Sequence, residues 1–167
     1  MLVFAGRYTR DKTGRSVDPL RSNYENSYVV GAAYGRDLTA QGAGFFAGWE
    51  AGGAVRFGDR GTGELWGGLG IRHRGVPIGP GVRLRPSVTA GLSVVDRAMG
   101  LERERERRRD GDVRLLYYFA PEVAFAATAR PDWELVVRLH HRSGGNRTLG
   151  RMGEGHNAHA VGLRKRF

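Results

Sequence analysis

The sequence predicts an all-β protein, an eight-stranded antiparallel transmembrane β-barrel occupying residues 1–167 as a single domain. Three observations predict it. Eight segments of about 10 residues alternate apolar and polar side chains with the period of two that sends neighbouring side chains to opposite faces of a strand. The connections between them alternate in length. No apolar run approaches the roughly 18 residues of a spanning helix, whereas 27 glycines and 10% aromatics suit twisted, closely packed strands.

The first four segments, about 2–9, 26–36, 43–57 and 63–74, show the pattern in part. Tyr28, Val30, Ala32 and Tyr34 share one face. Leu65, Leu69 and Ile71 share another, opposite Glu64, Trp66 and Arg72. The fifth is clearer: Leu84, Pro86, Val88, Ala90, Leu92 and Val94 alternate with Arg83, Arg85, Ser87, Thr89, Gly91 and Ser93. In the sixth, Leu115, Tyr117, Phe119, Pro121, Val123 and Phe125 form one row, with Arg114 and Glu122 on the other. The seventh sets Leu135, Val137 and Leu139 against Glu134, Arg138 and His140. The eighth, about 156–167, offers Val161, Leu163 and Phe167.

In a small membrane barrel the apolar row faces lipid and the polar row fills the lumen. Glu50, Glu64, Glu122 and Glu134 are therefore expected to meet Arg72, Arg83, Arg85, Arg114 and Arg138 inside. The same alternation with the faces exchanged describes a soluble lipocalin-like barrel. Connection lengths favour the membrane, because outer-membrane barrels pair short periplasmic turns with longer external loops. Loops 10–25, 95–112 and 144–155 are expected outside, and turns 37–42, 75–82 and 129–132 with both termini in the periplasm. Terminal Phe167, five residues after Gly162, resembles the signal read by the barrel-assembly machinery during insertion. Lys165 departs from it, standing where an aromatic or apolar residue is usual.

The net charge is +10, and of 27 basic residues all but Lys12 and Lys165 are arginine. Guanidinium binds phosphate bidentately, so nucleic acid and the phosphates of lipopolysaccharide are the acidic partners to weigh. The arginines are spread along the chain with no recognisable nucleic-acid module, which excludes the first. The run Glu102-Arg-Glu-Arg-Glu-Arg-Arg-Arg109 reads as a solvated external loop or strand extension, or as an arginine cluster for those phosphates. The absence of cysteine rules out disulfides and thiolate metal sites. Met1 to Phe4 is too short for the core of a signal peptide. The numbering is thus expected to begin near the mature protein, or after a late-assigned start.

Most groups capable of chemistry cluster near the end. Residues 139–146 read Leu-His-His-Arg-Ser-Gly-Gly-Asn, and residues 153–159 read Gly-Glu-Gly-His-Asn-Ala-His. Over about 133–167, and by strand pattern over the rest, the sequence resembles the PagL-type lipid A 3-O-deacylases, also called acyloxyacyl-hydrolase-like barrels. That family carries a His-x-Ser motif near the end of its penultimate strand and a Glu on its last strand. The resemblance implies an eight-stranded barrel in the cell outer membrane. It also implies hydrolysis of an ester-linked acyl chain of lipid A, with outer-membrane lipids as surroundings and no cofactor or metal. It makes His141 the catalytic histidine and Ser143 the nucleophile. Parity agrees, because both continue the outward row of Leu135, Val137 and Leu139, while His140 and Arg142 turn to the lumen.

The match to the family is incomplete. Asn157, on the outward row with His159, stands nearest the family's acid, and an amide orients an imidazole without supplying charge. Glu154 is the closest carboxylate and has the opposite parity. The family's Asn after the serine is Gly144 here, so the oxyanion falls to backbone N–H groups of Gly144 and Gly145 or to Asn146. Arg142, Arg147 and Arg151 are the candidates for the sugar phosphates. Two other readings stay open. One is a non-enzymatic barrel, structural or lipopolysaccharide-binding, with a decayed site. The other is a metal site from His140, His141, His156 and His159, whose spacing matches no familiar ligand set.

Overall fold

The computed structural model describes residues 1–167. Eight strands form the wall: β1 (Leu2–Thr9), β2 (Tyr24–Gln41), β3 (Phe45–Phe57), β4 (Thr62–His73), β6 (Val82–Val95), β7 (Leu115–Ala127), β8 (Trp133–Ser143) and β9 (Glu154–Lys165). Each pairs antiparallel with its neighbours in the chain. β1 closes the ring on β9, from Leu2 opposite Arg164 to Thr9 opposite Asn157. Closure leaves no wall strand with an unpaired edge. A short β5 (Val76–Gly79) sits within the expected 75–82 turn and folds back on the start of β6. The expected 37–42 turn is shorter, because β2 runs on to Gln41 and a single 3-10 turn at Gly42–Gly44 leads into β3.

The wall sorts its side chains as the alternation predicts. Val30, Leu65, Leu69, Leu92, Leu135 and Val161 all face outward and lie exposed, the arrangement of an apolar belt that a bilayer covers. Leu2, Phe4, Trp66, Tyr118 and Val136 face inward and form one cluster across the lumen. An eight-stranded ring is just wide enough for side chains to fill.

Charged layers lie on either side of that cluster. Towards the termini, Arg138 Nη2 reaches Glu50 at 2.6 Å and Glu122 at 2.8 Å. Arg164 bridges Glu122 and Glu134 at 2.6 and 3.1 Å, and Arg85 reaches Glu134 at 2.6 Å. Towards the loop end, His140 Nε2 meets Glu64 at 2.9 Å, while Arg56 and Arg142 both grip Glu102, at 2.7 and 2.5 Å. The expected interior partners are thus partly reassigned. Arg114 lies at the rim, exposed and paired with Asp112 at 3.0 Å. Arg83 donates to the Gly75 carbonyl at 3.1 Å, and Arg72 pairs with Asp37 at 3.2 Å. Arg56, Arg142 and Arg164 take the inner places.

The run 102–109 is neither a solvated loop nor a strand extension: it belongs to helix α1 (Gly100–Arg109), which closes the loop end of the barrel. Leu, Glu and Arg are all strong helix formers, and the three arginines of the last turn suit the negative end of the helix dipole. As a strand, its alternating signs would have stacked every glutamate on one face. Glu102 is fully buried beneath the helix, on Arg56 and Arg142. Asp110 ends the helix in the left-handed conformation, φ 47°.

Arg138 is the test of the charged lumen. Arg138→Met leaves Glu50 without a cation, while Glu122 keeps Arg164, and unpairing a buried charge costs about 3–5 kcal/mol. Urea unfolding of the barrel reconstituted in vesicles is expected to show a loss of that size. A loss below about 1 kcal/mol would mean that water serves these carboxylates as well as the guanidinium does.

Candidate active site

β8 and β9 run side by side, and their register sets the site. Leu139 lies opposite His159, His141 opposite Asn157 and Arg142 opposite His156. The register then shifts, so that Ser143 faces Glu154 and Gly155 is the extra residue. Such a bulge turns the following side chain to the other face. Glu154 therefore shares the outward face with Ser143, correcting the parity expected from an unbroken strand. Glycine is needed at the bulge, because a Cβ on Gly155 would lie 2.6 Å from the Arg142 carbonyl.

His141 and Asn157 belong to the outward row, yet they are only 7% and 0% exposed. The cover is the β1–β2 loop, residues 10–23, which folds down over the outer wall. Asn157 Nδ2 donates to the Asp11 carbonyl at 3.0 Å and to Ser16 Oγ at 3.2 Å. His159 Nε2 donates to the Ser16 carbonyl at 2.6 Å. Within the loop, the Asp11 carboxylate accepts from Asn23 N and Nδ2 at 2.7 and 3.2 Å. Those Asn23 donors hold the Asp11 carboxyl below its usual range.

These bonds assign the atoms at the centre. Because Asn157 Nδ2 is committed to a backbone carbonyl, its Oδ1 is the atom turned to His141 Nδ1. An amide oxygen only accepts, so Nδ1 carries the proton and Nε2 is left with its lone pair. Thr13 Oγ1 also approaches His141 Nδ1, at 3.3 Å, and donates to Glu154 Oε2 at 2.7 Å. Nε2 of His141 has no hydrogen-bond partner in the protein. Ser143 is the next side chain but one on the same face and is partly exposed. No hydrogen bond joins the two residues.

The loop after Ser143 separates two expected oxyanion donors. Gly144 N–H donates to the Gly153 carbonyl at 2.7 Å and is not free. A Cβ on Gly144 would meet the Met152 carbonyl at 2.0 Å, so the loop closes on itself here. Gly145 N–H points at Ser143 Oγ, at 3.4 Å. Gly145, Asn146 and Arg147 follow with φ of 57°, 56° and 77°. Two of these three are not glycine, and left-handed backbone at such residues costs about 1–2 kcal/mol each.

Arg142 is not a surface ligand for phosphate. It is wholly buried, with Nε on Ser93 Oγ at 2.8 Å and Nη2 on the Val113 carbonyl at 2.8 Å. Arg147 and Arg151 are exposed at the loop end, Arg151 paired with Asp110 at 3.1 Å. The four histidines weighed as metal ligands divide between the two faces of the wall. His140 and His156 point inward, and His141 and His159 outward under the loop. No group of three potential ligands converges. Thr13, Ser16 and Asp11 escape sequence reading, because nothing local in residues 10–23 indicates which wall strand the loop will cross.

No protein-family model matches this chain, and no curated protein matches it. Among solved structures the chain is similar to the crystal structure of the outer membrane enzyme PagL, with a TM-score of 0.62. The match covers 100% of both chains at 14% sequence identity. A likeness at that identity establishes the fold: this chain has the PagL-like barrel fold over its whole length.

Asn157→Asp tests the loop clamp. The substitution keeps an acceptor for His141 but sets a carboxylate oxygen against the Asp11 carbonyl. Losing one such buried bond costs about 1–3 kcal/mol, and proteolysis follows the population of the opened form. Trypsin is expected to cut within residues 10–21 of the refolded barrel roughly tenfold faster than in the parent, the change that about 1.4 kcal/mol brings. Equal rates would show that Asn157 does not hold the loop down.

Proposed function

We propose that this chain is an outer-membrane hydrolase that removes an ester-linked acyl chain from lipid A or a related lipopolysaccharide, with Ser143 as nucleophile and His141 as general base. One observation carries the reading. On the lipid side of the wall, His141 is fixed through Nδ1 to Asn157 with Nε2 free, beside an accessible serine. A free serine hydroxyl is a weak nucleophile and needs an adjacent base. A base is most useful when its tautomer is already set. The likeness in fold to an outer membrane enzyme supports the setting. It does not bear on the chemistry.

In this mechanism Ser143 Oγ attacks the ester carbonyl while His141 Nε2 takes its proton. His141 then returns that proton to the leaving sugar hydroxyl, and water repeats the sequence on the acyl-serine. Gly145 N–H, beside Ser143 Oγ, is the donor available to the oxyanion. Exposed Arg147 and Arg151, at the loop end, are the proposed ligands for phosphates of a glucosamine headgroup. The bilayer delivers the acyl chain alongside the wall, so the site needs no deep cavity.

The topology proposed with it sets the three long loops, 10–25, 95–112 and 144–155, outside the cell and both termini in the periplasm, with insertion by the barrel-assembly machinery. Leu20, at the crest of the β1–β2 loop, is 95% exposed. The chain contains no cysteine, so a Leu20→Cys variant gives one clean label site. A membrane-impermeant maleimide should label it on intact cells. Labelling only after the outer membrane is opened would reverse the orientation.

A second reading, a lipopolysaccharide-binding barrel without activity, draws on the occupied Gly144 N–H and the missing His141–Ser143 hydrogen bond. Mass spectrometry of lipid A from cells with and without the protein separates the two. The hydrolase reading expects a loss equal to one acyl chain. Ser143→Ala and His141→Ala should each abolish it, a fall of more than about 10³-fold. His140→Ala, which removes one of the buried partners of Glu64 and leaves it Ser93, Arg56 and Arg142, should lower stability instead. Unchanged lipid A in every strain would leave the binding reading.

A further inference from the structure

We propose that Thr13, in the β1–β2 loop, is a positioning residue that joins the Glu154 carboxylate to the His141 imidazole through its hydroxyl. The inference rests on the Ser143–His141 reading above and names a member of the site that the serine and histidine alone do not supply.

The hydrogen bonds have one consistent direction. Thr13 Oγ1–H donates to Glu154 Oε2 at 2.7 Å, and the Thr13 backbone N–H donates to the same oxygen at 3.3 Å. With its proton committed, the hydroxyl offers only lone pairs to His141 Nδ1, 3.3 Å away. The Nδ1 proton is thus shared between Asn157 Oδ1 and Thr13 Oγ1. Glu154 has no other hydrogen-bond partner, so Thr13 alone fixes its carboxylate. Two features bring the pair together: the bulge at Gly155 turns Glu154 outward, and the β1–β2 loop brings Thr13 down upon it.

The division of labour follows from charge. Asn157 sets the tautomer and is neutral. When His141 takes the serine proton it becomes a cation, and a nearby carboxylate stabilises it. The charged or titratable neighbours on each packed element are Glu154 from β9, Arg105 from α1 and His140 from β8 itself. Asp11, on the same loop as Thr13, turns its carboxylate to Asn23. Glu154 is the one acid whose hydrogen bonds lead to the ring.

The test is a pair of threonine variants compared with Glu154→Gln on vesicles of phospholipid and lipid A. Thr13→Val keeps the shape and removes the relay, and is expected to lower kcat at least about tenfold, part of the 10²–10⁴ that positioned acid–base catalysis supplies, with KM little changed. The acid limb of its pH profile should move to lower pH. Thr13→Ser should restore both, Glu154→Gln should match Thr13→Val, and the double variant should lose no more than either. Activity of Thr13→Val equal to the parent, or losses that multiply in the double variant, would overturn the relay. An NMR titration of the His141 ring in micelles reads the same coupling without turnover. Its midpoint should fall in Thr13→Val and in Glu154→Gln but not in Thr13→Ser, and an unmoved midpoint overturns the proposal. A parent that releases no fatty acid yet shows those shifts would end the hydrolase reading and leave the relay standing.

Discussion

An eight-stranded ring has room for side chains and little else, so whatever charge it encloses must be neutralised by side chains across the lumen. Everything else in this barrel depends on that constraint. Arg138 lies between Glu50 and Glu122, and Arg164 between Glu122 and Glu134. The partners come from β3, β7, β8 and β9, so the pairs tie distant parts of the wall together. At the loop end, Arg56 and Arg142 leave the ring with more positive charge than Glu64 can balance. The balance comes from Glu102, carried in from outside the sheet on α1. The helix is thus anchored electrostatically, with Arg105 also donating to the Gly155 carbonyl at 2.7 Å, while Glu104 and the arginines of its last turn stay in solvent.

A filled lumen has a consequence for chemistry. Its cavity of about 300 Å³, lined by Leu2, Glu50, Arg72 and Arg164, lies at the end of the termini, away from His141 and Ser143, so the proposed lipid hydrolysis would take place on the outer wall. There the site is assembled from what a strand pair and a loop can give. β8 supplies His141 and Ser143 at a spacing of two, β9 supplies Asn157 across the ladder, and the β1–β2 loop provides the polar cover that lets a histidine and an amide sit on an otherwise apolar surface. His140, one residue away, does the opposite work: it is sealed in the lumen on Glu64 and Tyr118.

What the sequence made legible follows from how local each signal is. Alternation is local, so the outward rows on β6, β7 and β8 could be read directly, as could the opposite fates of His140 and His141. The bulge at Gly155 is not readable, because a single glycine near a strand end has many uses, and an unbroken strand would put Glu154 on the opposite face. The helix 100–109 is obscured by its composition: sign alternation imitates a strand pattern, while burial of Glu102 depends on arginines 46 positions before it and 40 after. Loop 10–23 showed its length and nothing of its destination. Parity alone turns Arg142 to the lumen, against a role as a phosphate ligand, but its partners on β6, α1 and the α1–β7 connection are not legible locally.

Asn157 shows why the identity of the third residue in such a site does not settle its chemistry. An asparagine facing a histidine can present either end of its amide. If the NH2 group faces Nδ1, it demands the lone pair there, the proton moves to Nε2, and the base is lost. Here the choice is removed, because Asp11 O and Ser16 Oγ hold the NH2 group and the oxygen is the only end left for His141. The tautomer a serine needs is therefore enforced by a loop on the far side of the amide, with no carboxylate at that position. What the amide cannot do is balance a cation. A carboxylate displaced by one bulge and connected through one hydroxyl answers that deficit, which gives the loop two tasks at once: it orients the neutral partner with Asp11 and Ser16, and it connects the charged one with Thr13. Any movement that lifts the loop breaks both together, so in the proposed mechanism the state of His141 is tied to the closure of the loop over the wall.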